Sequence, residues 1–435
     1  MAASPVSATL FAYQVGFGDC FLLRFNYADG GRRHALIDFG TTGIPEDAES
    51  DLMMQVAKDI KAKVQENDPA GRLDMVVATH RHADHISGFA TKNGAGSGDI
   101  IRALQPRVVV QPWTELPDAA VDDLGPAAKD ALKGFGTRRA SLAAMHEVAQ
   151  SAVQLATRGG LPAAVKDQMA FIGQDNLANL SAVQNLQTMS DQHRYVFHGC
   201  DHDLSDFLPG VDITVLGPPT LQQTETIKKQ RSRDADEFWQ LAPMRFSNAM
   251  QTGANRLFPD APSFPRSKLP TEMRWLASRL EDTSGELMLS LVRALDGQMN
   301  NTSVILLMKA GTKSLLFPGD AQLENWQYAL QSEYADRLAE VDLLKVGHHG
   351  SLNATPKSMW KRLKKRGPAN QPGRLTSVMS TMHGKHGSDG KNTEVPRRTL
   401  VTALKTESKL YSTEDLDAKD PDGGVTYHQI DIVLT

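Results

Sequence analysis

Residues 79–85 read Thr-His-Arg-His-Ala-Asp-His, directly after the apolar run Met75-Val76-Val77-Ala78. Three imidazoles and a carboxylate this close together are costly to bury unless they share partners or a cation. His80 and His82 alternate along extended backbone, so both side chains can reach one ion. A tight turn after them would aim Asp84 and His85 at a neighbouring position. Imidazole nitrogen with carboxylate oxygen suits a borderline divalent cation such as Zn2+, and the spacing predicts two adjacent metal positions at the end of a strand. The competing reading is a polar loop with histidines by chance.

The elements that must hold this loop follow from pattern. Thr9 to Val15, Cys20 to Phe25 and His34 to Ile37 read as strands around the turn Gly16-Phe17-Gly18-Asp19, the third ending in Asp38-Phe39-Gly40. Leu52, Val56, Ile60 and Val64 recur at fourfold spacing and predict an amphipathic helix over 47–65. Ile86-Ser87-Gly88-Phe89 should open a helix beyond the metal loop, and 107–111 returns as a strand. Further strands are expected at 211–216, 304–308, 313–317, 341–346, 375–381, 409–412 and 425–433, with a helix near 395–405. Two stretches, about 117–199 and 220–299, read as helical insertions in a single domain spanning 1–435. The first is Ala-rich, with Leu142, Met145, Val148 and Ala149 spaced for a buried face. The second opens on Lys228-Lys229-Gln230-Arg231-Ser232-Arg233, a solvated face or a phosphate-binding patch.

His80-Arg81-His82-Ala83-Asp84-His85 resembles the signature of the metallo-β-lactamase superfamily, a motif that names a fold better than a substrate. The resemblance implies an α/β fold, the four-layer αββα sandwich with a metal site on one edge. Val15-Gly16-Phe17-Gly18-Asp19, Asn300-Asn301-Thr302-Ser303, Gly319-Asp320-Ala321 and His348-His349-Gly350-Ser351 follow in an order similar to the branch that includes the soluble domain of ComEC-type competence proteins. Phe17 stands where that branch usually has Gln, and Gly387 replaces the proline of a Gly-His-Pro turn matched by His386.

Carried over on these matches, His80 and His82 hold a first metal, Asp84 and His85 a second, Asp320 bridges, and His348 is a further ligand of the second. Asp38 supports the ligand loop; the role of Asp19, near the site, is open. Two ions are implied, Zn2+ with Mn2+ as a substitute. A metal-bound hydroxide is then the nucleophile, with Asp84 counted among the catalytic residues, and His349 or His386 protonates the leaving group. A third histidine for the first metal has no clear equivalent; His198 and His202 lie in the right interval but match no motif.

The chain has 435 residues and a net charge of -4, which argues against a generally basic nucleic-acid surface while leaving local patches open. Cys20 and Cys200 are its only cysteines, so a disulfide framework is not expected. Neither a basic region with an apolar core at the N-terminus nor a run of about 18 apolar residues is seen, so the expected compartment is the cytoplasm, without a membrane partner. The branch resemblance favours a phosphodiester, in nucleic acid or a nucleotide, as substrate. Lys361-Arg362-Leu363-Lys364-Lys365-Arg366 is the candidate phosphate contact or plain solvated surface. A small ester, thioester or lactone under a lid made by the insertions is the rival, and an interaction platform without catalysis the third reading.

Overall fold

The computed structural model describes residues 4–116, 125, 180–224, 300–351, 354–386, 394–417, 420 and 424–435. They fall in one compact unit, Met1–Arg138 with Asn179–Thr224 and Met299–Thr435. Arg139–Ala178 and Glu225–Gln298 lie outside the described residues, and with them most of both expected insertions, including Leu142, Met145, Val148, Ala149 and the 228–233 charge run.

Two mixed sheets with flanking helices form the α/β sandwich that the motifs implied. The first contains β1 (Pro5–Tyr13), β2 (Cys20–Tyr27), β3 (Arg32–Phe39), β4 (Met75–Val77), β5 (Val109–Pro112), β6 (His193–Val196) and β13 (Tyr427–Val433), in the order β13-β1-β2-β3-β4-β5-β6. The second contains β7 (Val211–Gly217), β8 (Ile305–Ala310), β9 (Lys313–Phe317), β10 (Val341–Lys345), β11 (Thr376–Met379) and β12 (Lys409–Ser412), ordered β12-β11-β10-β9-β8-β7. Hairpins join β1 to β2 and β2 to β3, whereas β3, β4, β5 and β6 run parallel. Parallel strands covered on both faces read as unbroken apolar runs, which is why Met75-Val76-Val77 is buried throughout. Phe21 of β2 reaches Phe317 of β9 with ring centroids 6.5 Å apart, one of the contacts that join the sheets.

The helix expected over 47–65 forms as α1 (Leu52–Val64), with Leu52, Val56, Ala57, Ile60 and Val64 buried. Each such aliphatic side chain contributes roughly 1.5–3 kcal/mol on burial. On the second sheet, Leu307, Leu316, Leu344, Trp326, Trp360 and Leu404 share one apolar cluster.

Two expectations need correction. Residues 180–199, assigned from sequence to an insertion, supply the helix Leu180–Thr188 and edge strand β6, because four buried residues, His193-Arg194-Tyr195-Val196, pair in parallel with β5. The helix after the metal loop begins earlier than expected, at Ala83, and ends at Ile86; residues 87–89 continue as a 3-10 turn. Asp84 and His85 therefore sit inside a helical turn. Among the described residues, no helix is long and apolar enough to cross a membrane.

Candidate metal centre

The ligand loop leaves β4 and is fastened to β3 by one carboxylate. Asp38 adopts φ 54, and its Oδ1 accepts the Thr79 amide at 2.8 Å. Asp38 Oδ2 accepts the Thr79 hydroxyl and meets His85 Nδ1, both at 2.8 Å. With Nδ1 engaged there, His85 presents Nε2 to the site, the orienting device common around metal-bound histidines. Gly40 makes room for this turn: a Cβ there would lie 2.5–2.6 Å from the backbone of Ala83, Asp84 and His85. Across the sandwich, Gly319 at φ 53 lets the β9–Asp320 turn approach Thr79, and the Asp320 amide is held by Ser303 Oγ at 3.3 Å.

Two ligand groups adjoin. Asp84, His85, Asp320 and His349 form one, His80, His82 and Asp84 the other, and Asp84 is common to both. His80 Nε2 and His82 Nδ1 lie 3.0 Å apart. Asp320 Oδ2 lies 3.1 Å from His85 Nε2, 3.7 Å from His348 Nε2 and 4.0 Å from His80 Nε2, so it faces both groups. Asp84 Oδ1, His85 Nε2 and Asp320 Oδ2 are buried and make no hydrogen bond of acceptable geometry. Polar atoms left so in a core are strongly destabilising unless something satisfies them. Imidazole nitrogens and carboxylate oxygens converging on common space fit divalent cations.

The charges of these groups act strongly on one another. Burial holds the His80 imidazole well below its ordinary pKa, reinforced by His85 and His82. Burial acts to lower His85 too, but Asp320, Asp84, Asp38 and Asp19 overcome it and raise it well above the usual value. Burial would raise Asp84 and Asp320; His85 chiefly reverses this in both, helped by His349 for Asp84 and by His348 and Lys345 for Asp320, so both are lowered. His349 is raised because its bond to Asp84 and the charge of Asp19 outweigh its burial.

The fold brings His80, His82, Asp84, His85 and Asp320 together, and of the paired histidines it buries His349 among them and leaves His348 at the edge. His349, expected as the proton donor, is fully buried with Nε2 2.9 Å from Asp84 Oδ2. Its Nδ1 is 2.9 Å from the Ser380 carbonyl, to which it donates, and its Nε2 is thereby turned toward Asp84. His348, expected as a ligand, stands at the rim with its side chain 29% exposed. Both residues have positive φ, 46 and 51 degrees, so the chain folds back where the strand ends and turns the second imidazole inward.

His386 joins neither ligand group; Phe17 packs against it and against His349, with ring centroids at 4.3 and 4.2 Å. Burial lowers His386 to about 4, so it is neutral and a poor proton donor near pH 7. His198 Nδ1 meets the Leu216 carbonyl at 2.7 Å and its ring packs on Tyr328, while His202 Nδ1 faces the Leu204 amide. Neither belongs to a ligand group among the described residues.

The sequence reading missed Lys345, a buried ammonium behind the ligands that contacts Asp19 and lies 3.5 Å from Asp320 Oδ1. Burial acts to lower its pKa, but Asp19 and Asp320 raise it. The available signal was a lysine closing the apolar strand Leu343-Leu344-Lys345-Val346.

Residues 13–91 match the model of the metallo-beta-lactamase superfamily. The superfamily's members are mostly hydrolases, and the match suggests a metal-dependent hydrolase in general terms. It contains Asp19, Asp38 and the whole His80–His85 loop, and ends before Asp320 and His349, which the second sheet delivers. No curated protein matches the chain.

Proposed function

We propose that the protein is a metal-dependent hydrolase of short phosphodiesters, a nucleotide or a single-stranded nucleic-acid end, with two Zn2+ or Mn2+ ions as its cofactor. The observation that carries this reading is the pair of adjoining ligand groups sharing Asp84, with Asp320 Oδ2 turned toward both. When bound there, two divalent cations would acidify a water and neutralise charge on the attacking and leaving oxygens of a phosphodiester. His80 and His82 would hold one, His85 and His349 the other, and Asp84 and Asp320 would serve both. Asp38 fixes His85, and the Ser380 carbonyl fixes His349, so these imidazoles are set before substrate arrives. His348, at the rim beside Asp320, is placed to pass a proton to the leaving oxygen.

The size of the substrate follows from charge. Lys365 is tied to Asp342 at 2.9 Å and to the Glu340 carbonyl, and Arg366 to Glu407. Two of this stretch's cations are thus already paired, which favours a short substrate over a long phosphate track, since each bound phosphate needs its own cation. The motif resemblance to the ComEC-type branch supports a phosphate ester over an acyl substrate.

The test is turnover of bis-p-nitrophenyl phosphate against p-nitrophenyl acetate and a thioester, after chelation and after adding Zn2+ or Mn2+. Metal-dependent cleavage of the diester is expected, and His82→Ala should abolish it. Turnover of the acyl substrates alone would replace the phosphodiester reading with the small-ester one.

A further inference from the structure

A lysine closes β10 inside an otherwise apolar core, and an unpaired buried ammonium is strongly destabilising. Lys345 Nζ contacts Asp19, donates to the Gly319 carbonyl at 3.2 Å and lies 3.5 Å from Asp320 Oδ1. Asp19 is itself stitched to the ligand turn: its amide donates to the Asp84 carbonyl at 2.8 Å, and its carbonyl accepts the Gly40 amide at 3.0 Å. Lys345 thus joins the strand that delivers His349 to the turn beneath Asp84.

The two oxygens of Asp320 face different partners. Oδ1 points to Lys345 and accepts the His348 amide at 3.1 Å. Oδ2 makes no hydrogen bond and faces His85, His348 and His80. A free carboxylate can close on a single cation with both oxygens. An ammonium and an amide already holding Oδ1 oppose that.

We infer that Lys345 is a positioning residue that reserves Asp320 Oδ2 for sharing between the two ligand groups, and so makes the binding of the second ion depend on the first site's geometry. This rests on the two-ion reading above. Its consequence separates it from a simple counter-charge. Removing the ammonium removes repulsion toward cations, which tightens binding everywhere, whereas releasing Oδ1 strengthens one position at the other's expense.

The experiment is titration of the full-length apoprotein with Zn2+ against a chelator, repeated with Co2+ to record its visible absorption, for wild type and Lys345→Met. Wild type is expected to take up two equivalents. In Lys345→Met the first equivalent should bind at least as tightly and the second at least tenfold more weakly, with the absorption of the first Co2+ equivalent altered. A thermal melt of the apoprotein checks that the variant folds, and Lys345→Gln, with the same expected split, replaces it if it does not. Two equivalents with unchanged affinities and spectrum would overturn the role of Lys345 while leaving the metal centre intact. Tightening of both would reduce Lys345 to a counter-charge, and equal weakening of both to a structural support; either overturns the inference. Fewer than two equivalents in wild type would sink the two-ion reading itself.

Discussion

Asp38 gives one carboxylate oxygen to Thr79 N and shares the other between the Thr79 hydroxyl and His85. Asp38→Ala should therefore leave the ligands in place chemically yet lower metal affinity about 10–100-fold, the range seen when such supporting partners are lost; a chelator titration reads this. Asp320→Asn should disturb both ions, because one of its oxygens faces both groups, and metal analysis of the purified variant would show it. The paired histidines make a sharper prediction. His349→Ala should lose metal, while His348→Ala should keep it and lose turnover. The reverse result would restore His348 as the ligand that the motif matches implied.

At the scale of elements, the site depends on two sheet ends meeting over turns that tolerate no side chain. Gly40→Ala places a methyl against the backbone of the turn carrying Asp84 and His85. Overpacking of this kind destabilises by roughly 1–3 kcal/mol, so the variant should melt lower and bind metal more weakly together. A melt unchanged with metal bound as in wild type would show that the turn can move away. Lys364→Glu with Lys365→Glu should leave metal content and the salt dependence of turnover unchanged. Its effect should be confined to the partly buried pairing of Lys365 with Asp342.

For the whole molecule, acid stability has a source far from the metal ligands. His34 of β3 is buried, and burial first, with Arg24, Arg32 and Arg33, lowers it to about 3. The native state therefore rejects a proton that the unfolded chain accepts near pH 6.5. This contribution is fully present above about pH 6.5 and is lost as pH falls from there toward 3. His34→Phe should flatten the fall in melting temperature across that window. A parallel fall in the variant would assign the acid sensitivity to other groups.

The sequence by itself determined the local facts. Fourfold spacing made α1, and apolar runs made β4 and β9, because burial of a periodic face decides such elements. The Thr79–His85 run declared a candidate site because few other reasons place three imidazoles and a carboxylate together. Asp38 was legible from its place at the end of β3. Tertiary structure decided what spacing does not encode. The inward turn of His349 required two successive left-handed residues and the Ser380 carbonyl as acceptor. His198 and His386 packed instead against the rings of Tyr328 and Phe17. Lys345 acquired its place only when Asp19, from the first sheet, and Asp320, from the second, closed around it. These contacts join residues distant in the chain, and their energies depend on burial and partner geometry that no local pattern carries.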